Sequence, residues 1–298
     1  MSAASTVSRQ RRQVQAAGEL AHAALTRCGG VLRPLPSFPD SPYMLAGSEM
    51  VWLGSAGGIW HPRRILLAKP RQTRLSGELH VSVEGARAWH TPSLPRIASE
   101  QLAFACAAIT SDIAALGTPA GFGALLAGEA LRFPLDLALS RVRALADAVA
   151  RDDAAAFEVA ALPLLGLGPG LTPSGDDCVG ACLFARRLRG FDSAWNEAAQ
   201  SLVHAAPGRS NCISAALFGD LARGAAYAPL HQLAAAMAGD TAGLLGAARA
   251  LTAIGHSSGW DMLTGFILGA GGAIDWKFAP DVAFKPMPYS ISALSSRA

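Results

Sequence analysis

The sequence predicts an α+β protein, with a β-rich N-terminal unit (a small antiparallel sheet or partial barrel) followed by a mostly α-helical body. Three observations carry this reading. Short apolar runs separated by turn residues fill the first 95 positions, and helical periodicity dominates afterwards. Between the two regimes stands Thr91-Pro92-Ser93-Leu94-Pro95, a linker by composition. The expected domains are therefore 1–95 and 96–298. Apolar residues make up 51% of the 298 positions and charged residues 16%, which excludes a disordered chain and leaves apolar surface for a subunit interface.

Along the chain, residues 13–25 follow Arg9, Arg11 and Arg12. They are Ala-rich with Glu19 inside, too weakly apolar for a signal peptide, and read as an N-terminal helix. Pro34, Pro36, Pro39 and Pro42 mark an irregular connection. Strands are expected at 50–53, 65–68, 79–83 and 86–90, divided by turn signals at 54–58, Pro70, Ser76-Gly77 and Glu84-Gly85. Helices are expected at 98–116, 135–150, 154–165, 176–188, 194–205, 211–223, 230–238, 241–254 and 259–269. The first places Leu102, Ala103, Cys106, Ile109 and Ile113 at helical spacing. The most apolar stretch, 262–274, lies between Asp261 and Asp275 and is shorter than the roughly 20 residues of a spanning helix. No membrane association is expected.

The net charge of +3 is concentrated before Pro95, with Arg63, Arg64, Lys69, Arg71 and Arg74 close together. The excess is too small, and too poor in interleaved aromatics, for a nucleic-acid binder. This basic segment reads as solvated surface, its other use being contact with an anionic ligand or acidic partner. Cys28, Cys106, Cys178, Cys182 and Cys212 form an odd set without paired spacing, which points to a reducing, cytoplasmic setting. Cys178 and Cys182 share a helix face as small buried residues. Cys212 reads as a core residue, since no activating base adjoins it.

Chemistry concentrates in three segments. In Gly166-Leu167-Gly168-Pro169-Gly170-Leu171-Thr172-Pro173-Ser174-Gly175-Asp176-Asp177 three alternating glycines precede a helix start crowded with hydroxyls and carboxylates. Capping of the helix by Ser174 with Asp177 accounts for only part of it. Free N–H groups at a helix start attract anions, yet Asp176 and Asp177 would repel a bare phosphate. Either a divalent cation such as Mg²⁺ bridges them to an anion, or they bind cationic or amide donors, or one serves as a general base. The missing Gly-Lys-Ser/Thr ending excludes a Walker-type loop.

In Gly255-His256-Ser257-Ser258-Gly259-Trp260-Asp261, Ser258 and Asp261 fit a capping box, and His256 and Ser257 could transfer protons or orient a ligand. In Gly208-Arg209-Ser210-Asn211-Cys212-Ile213-Ser214, Ser210 reads as a cap, with Ser214 on its face and Arg209 as an anion contact. Ser174-Gly175-Asp176-Asp177 and Ser258-Gly259-Trp260-Asp261 echo one another: each opens an apolar helix, with Val179 and Leu263 in equivalent places.

Together, residues 166–177, 210–214 and 255–261 with Gly265 resemble the AllH family. Pro169-Gly170-Leu171-Thr172-Pro173-Ser174-Gly175-Asp176-Asp177 follows the family pattern without a break. Ser210-Asn211 stands where that pattern is threonine-rich, and Cys178-Val179-Gly180 where bulkier apolar residues are expected. The resemblance implies a subunit of oxamate carbamoyltransferase, acting in ureide and allantoin degradation. There three different polypeptides interconvert oxalurate and phosphate with oxamate and carbamoyl phosphate. It implies other protein subunits and a small anionic or amide metabolite as partners.

By side-chain type, Asp176, Asp177 and His256 are the candidate catalytic groups. Gly168, Gly170, Thr172, Ser174, Gly175, Arg209, Ser210, Ser214, Ser257, Ser258 and Asp261 are the candidate substrate-binding residues. Two other classes compete: a non-catalytic binding or assembly subunit, and a metal-assisted hydrolase using Asp176 and Asp177.

Overall fold

The computed structural model describes residues 11–69, 77–239, 241–274 and 276. Arg9, Pro70, Arg71, Arg74, Ser76 and Asp275 lie outside them.

The N-terminal stretch expected as one helix is a strand followed by a helix, β1 (Arg12–Gly18) and α1 (Glu19–Arg27). Alanine favours helix, but Ala16 and Ala17 are buried in a strand that pairs on both edges, and tertiary pairing overrides propensity. One edge of β1 pairs antiparallel with β5 (Arg64–Leu67). The other pairs in parallel, first with β6 (Leu79–Ser82) and then with β7 (Arg87–Trp89).

β2 (Val31–Pro34) and β3 (Tyr43–Ala46) flank the proline-rich connection, and β4 (Glu49–Leu53) follows. Strands β5-β4-β3-β2-β6-β1 form a ring closed by the β5–β1 pairing, with β7 as an appendage. The unit is thus a closed six-stranded barrel, a form that leaves no ring edge unpaired. Its pairings are mixed rather than antiparallel throughout, because β4–β5 and β1–β6 run parallel. Val14, Leu32, Met44, Val51, Ile65 and Val81 fill the barrel core, joined by Ala21, Ala24 and Leu25 of α1.

The body is helical: α2 (Ser99–Thr110), the short α3 (Gly123–Leu126), α4 (Leu139–Ala150), α5 (Ala154–Ala161), α6 (Ser174–Arg189), α7 (Ser193–Ala205), α8 (Cys212–Arg223), α9 (Ala228–Ala238), α10 (Leu244–Thr252) and α11 (Ser258–Gly269). α2 ends before Ile113, which lies in a separate 3₁₀ turn, and Ala103 faces outward while Ala105 is buried.

At the centre lie α6 and α11, both buried over most of their length. A Cβ on Gly265 would sit 1.9 Å from the Cys178 carbonyl oxygen, and one on Gly269 2.1 Å from that of Cys182. The two backbones therefore meet along a glycine seam. Cys178 and Cys182 are wholly buried there, and burial pushes both thiols up. Among the described residues, no helix is long and apolar enough to cross a membrane.

The barrel docks on α8, where Ile213 and Leu217 pack with Leu35 and Met50. Arg63 and Arg64 are buried, contrary to the solvated surface expected of them. Arg63 donates to both oxygens of Asp220 at 2.5 and 3.0 Å, to Glu49 at 2.9 Å and to the Met50 carbonyl at 3.0 Å. A forked guanidinium can satisfy that many acceptors while buried, and the ion pair ties barrel to body. Arg64 lies over the Trp60 ring at 4.5 Å and donates to the Ser55 and Gly58 carbonyls. Lys69 is exposed.

Candidate functional site

The glycine-rich loop ahead of α6 is held by Asp176. Its Oδ1 accepts the Gly166 N–H at 2.7 Å, and its Oδ2 accepts the hydroxyls of Ser214, at 2.6 Å, and Ser210. This carboxylate is fully engaged in binding the loop to the start of α8. Gly166 is required where it stands: its φ is +79° and a Cβ would lie 2.0 Å from the Arg209 carbonyl oxygen. Asn211 braces the loop from the other side, its amide donating to the Leu171 carbonyl at 2.9 Å.

Asn211, and not Ser210, caps α8: its Oδ1 accepts the N–H groups of Ile213 and Ser214 at 3.0 and 3.1 Å. Ser210 is drawn away by Asp176. The capping roles expected of Ser174 and Ser258 also fail, because both are the first residues of their helices. Pro173 and Ser257 occupy the cap positions, and neither makes a side-chain cap bond.

The two hydroxyls instead cross between helices. Ser174 hydrogen-bonds Asp261 on α11, and Ser258 hydrogen-bonds Asp177 on α6. Thr172 and Ser258 join their hydroxyls at 2.7 Å. The repeated sequence motif is thus a reciprocal arrangement: each helix start supplies a serine to the other's carboxyl group. Gly175 and Gly259 occupy matching places, each with its Cα against a backbone carbonyl, that of Leu164 or Leu251.

Asp177 and Asp261 are the distinctive groups. Both are buried, and the Oδ2 atom of each has no hydrogen-bond partner among the described residues. Oδ1 of Asp261 accepts the Phe122 N–H at 2.7 Å. Gly121 permits that approach: its φ is +57° and a Cβ would lie 2.2 Å from the same oxygen.

Burial, then the charge of Asp261, pushes the Asp177 carboxyl well above the usual carboxylate range, against the hydrogen bond from Ser258. Asp261 is pushed up to about 6 by burial, offset by bonds from the Phe122 N–H, Ser174 and Ser257. Two like charges in a poorly solvated space resist joint ionisation, so the pair retains a proton toward neutral pH. It presents one hydroxyl donor and several acceptor lone pairs.

Of the other expected residues, Gly168 lies against the start of α6, while Gly170 is exposed on the loop. Arg209 is exposed, its carbonyl against Gly166, and His256 is exposed on the turn ahead of α11. Cys212 is exposed at the start of α8, not in the core as expected, because it precedes the buried face that begins with Ile213.

Sequence reasoning missed three contributors. Asn211 before an apolar helix is a recognisable cap signal. Gly121-Phe122-Gly123 marks a tight backbone approach, with a Cβ on Gly123 meeting the Trp260 side chain at 2.8 Å. Tyr43 and Tyr227 couple to Asp177, whose charge adds to burial in raising both phenols; no local signal marked either one.

Comparison with curated proteins and with solved structures returns no match. Over residues 164–270, a little over a third of the chain and the part that carries the loop, both helix starts and the cap of α8, the protein is similar to the family described as oxamate carbamoyltransferase subunit AllH.

Proposed function

We propose that this chain is a subunit of an oxamate carbamoyltransferase-like enzyme of ureide and allantoin catabolism, and that the Asp177–Asp261 pair is its amide-handling site. The observation that carries the reading is the pair of buried carboxyl groups, each with an unpartnered oxygen, inside the segment matched to that family.

A carboxyl pair holding one proton is complementary to an amide. Its hydroxyl donates to the amide carbonyl and its carboxylate accepts an amide N–H. In carbamoyl transfer, the oxamate nitrogen bonds to the carbamoyl carbon, the bond from that carbon to the phosphate oxygen breaks, and the nitrogen gives up a proton. The ionised member of the pair takes that proton, and in the reverse direction returns it. The anionic ends of the substrates belong away from the carboxylates, toward the glycine-rich loop and Arg209. Asp176 positions that loop, and its three bonds leave it no proton-transfer task.

In a second reading, the free oxygens of Asp177 and Asp261 would hold Mg²⁺, which would supply Lewis-acid polarisation of the carbamoyl carbonyl. Other polypeptides belong to the proposed assembly, and a purely ligand-holding role for this chain is the competing outcome.

The test is release of carbamoyl phosphate from oxalurate and phosphate by the chain with its partner subunits. Asp177→Asn is expected to reduce turnover by about 10²- to 10⁴-fold while the assembly still forms. Full activity in both Asp177→Asn and Asp261→Asn would reject the amide site. Loss of activity in chelator, restored by Mg²⁺, would select the metal reading.

A further inference from the structure

Tyr43 on β3, Trp52 on β4 and Tyr227 at the start of α9 form one cluster with His61. Ring centroids are 6.0 Å apart for Tyr43–Trp52, 6.1 Å for Trp52–Tyr227, 4.9 Å for Trp52–His61 and 4.6 Å for His61–Tyr227. All four pairs are tilted, so the rings make a cupped face rather than a stack. His61 is buried behind it, whereas Tyr43, Trp52 and Tyr227 are only half-buried.

Packing brings this cluster to the start of α8. Tyr43 and Trp52 lie against Ile213 and Leu217 of α8, the helix whose Ser214 grips Asp176 beside Asp177. Tyr227 packs into the core cluster that includes Trp260 and Leu263 of α11. The barrel thus brings aromatic residues to the end of the body where α6, α8 and α11 begin.

The geometry points to the barrel as the source of the site's opposite wall: Tyr43 and Tyr227, with Trp52 between them, receive the planar amide or ureido group of the substrate and orient it against the carboxyl pair. This rests on reading that pair as an amide site. A conjugated amide is flat, so an aromatic face restricts its tilt, and the two phenols supply hydroxyl donors for its carbonyl or carboxylate oxygens. The effect of the Asp177 charge on both phenols agrees with this placement. Tyr43 and Tyr227 are positioning residues here, with the proton left to the carboxyl pair.

The chain has three tyrosines, so 3-fluorotyrosine labelling of the full-length protein gives three ¹⁹F signals, assigned by single Tyr→Phe replacement. Oxamate and oxalurate are the probes, with inorganic phosphate as a control. The expected result is that either amide probe shifts the Tyr43 and Tyr227 signals. Tyr43→Phe and Tyr227→Phe should each weaken its binding about tenfold, the effect of one ordinary hydrogen bond, with phosphate binding and unfolding midpoint unchanged. Binding seen by calorimetry while both signals stay still would overturn the barrel wall and leave the amide site standing. An equal loss of phosphate affinity in the Phe variants would overturn it as general disruption. If neither amide probe binds the wild-type chain, alone or with its partner subunits, the amide site fails and the wall assignment falls with it.

Discussion

Asp261→Asn tests the electrostatics of the carboxyl pair without altering its shape. The substitution keeps an oxygen for the Phe122 N–H and turns the unpartnered Oδ2 into an amide donor near Asp177. In the wild type, Asp261 is raised from 3.8 to about 6, mainly by burial. At about 1.4 kcal/mol per unit, ionising it in the folded protein costs roughly 3 kcal/mol. The sign follows from proton counting. Between the two values the folded state holds more protons at Asp261 than the unfolded chain does, so the contribution of this residue falls as pH rises toward about 6 and levels off above it. Asparagine carries no such penalty. The variant should be more stable by about 3 kcal/mol at pH 8 and by about half as much at pH 5, and inactive at both. Urea denaturation followed by circular dichroism at the two pH values measures the difference. A variant less stable than wild type at pH 8, or a difference independent of pH, would refute the strained-carboxyl account and make Asp261 a structural acceptor only.

Gly265→Ala should destabilise the protein by about 1–3 kcal/mol or more in urea unfolding, because the new methyl meets the Cys178 backbone carbonyl rather than a side chain that can turn away. Arg63→Met should lower stability by about 3–5 kcal/mol by leaving Asp220 buried without its main partner. Adding Asp220→Leu should recover most of that loss, and a double variant no better than Arg63→Met would show that packing, rather than the ion pair, holds the barrel on α8.

How far the sequence could be read depends on whether the signal is local. Residues 50–53 and 65–68 announce β4 and β5 because β-branched and apolar residues lie between turn residues. β1 was hidden because Ala16, Ala17 and Gly18 are small for a reason found only at long range. A Cβ on Gly18 would lie 2.4 Å from the Pro62 carbonyl oxygen. β2 and β3 are four residues each beside prolines, too short for a period of two to register. At the site, hydroxyls and carboxylates at the starts of α6 and α11 were visible from composition, but their crossing between helices was not. Ser174 and Ser258 match capping patterns, and only the closeness of α6 and α11 redirects them. His256 drew notice by residue type, yet it lies exposed; Tyr43 did not, since its relation to α8 exists only after the barrel closes.

The contact of Gly265 with Cys178 and Gly269 with Cys182 makes the α6–α11 pair a gauge block. With backbone against backbone at two points one helical turn apart, the spacing of the two helix starts that carry the carboxyl groups is set by the main chain. In the amide site proposed above, compounds that differ from the substrate by one atom at the amide end would therefore meet a wall of fixed width. Those that differ at the far end meet the loop near Gly170, where a Cβ would find open space, and tolerance for chemical variety belongs there.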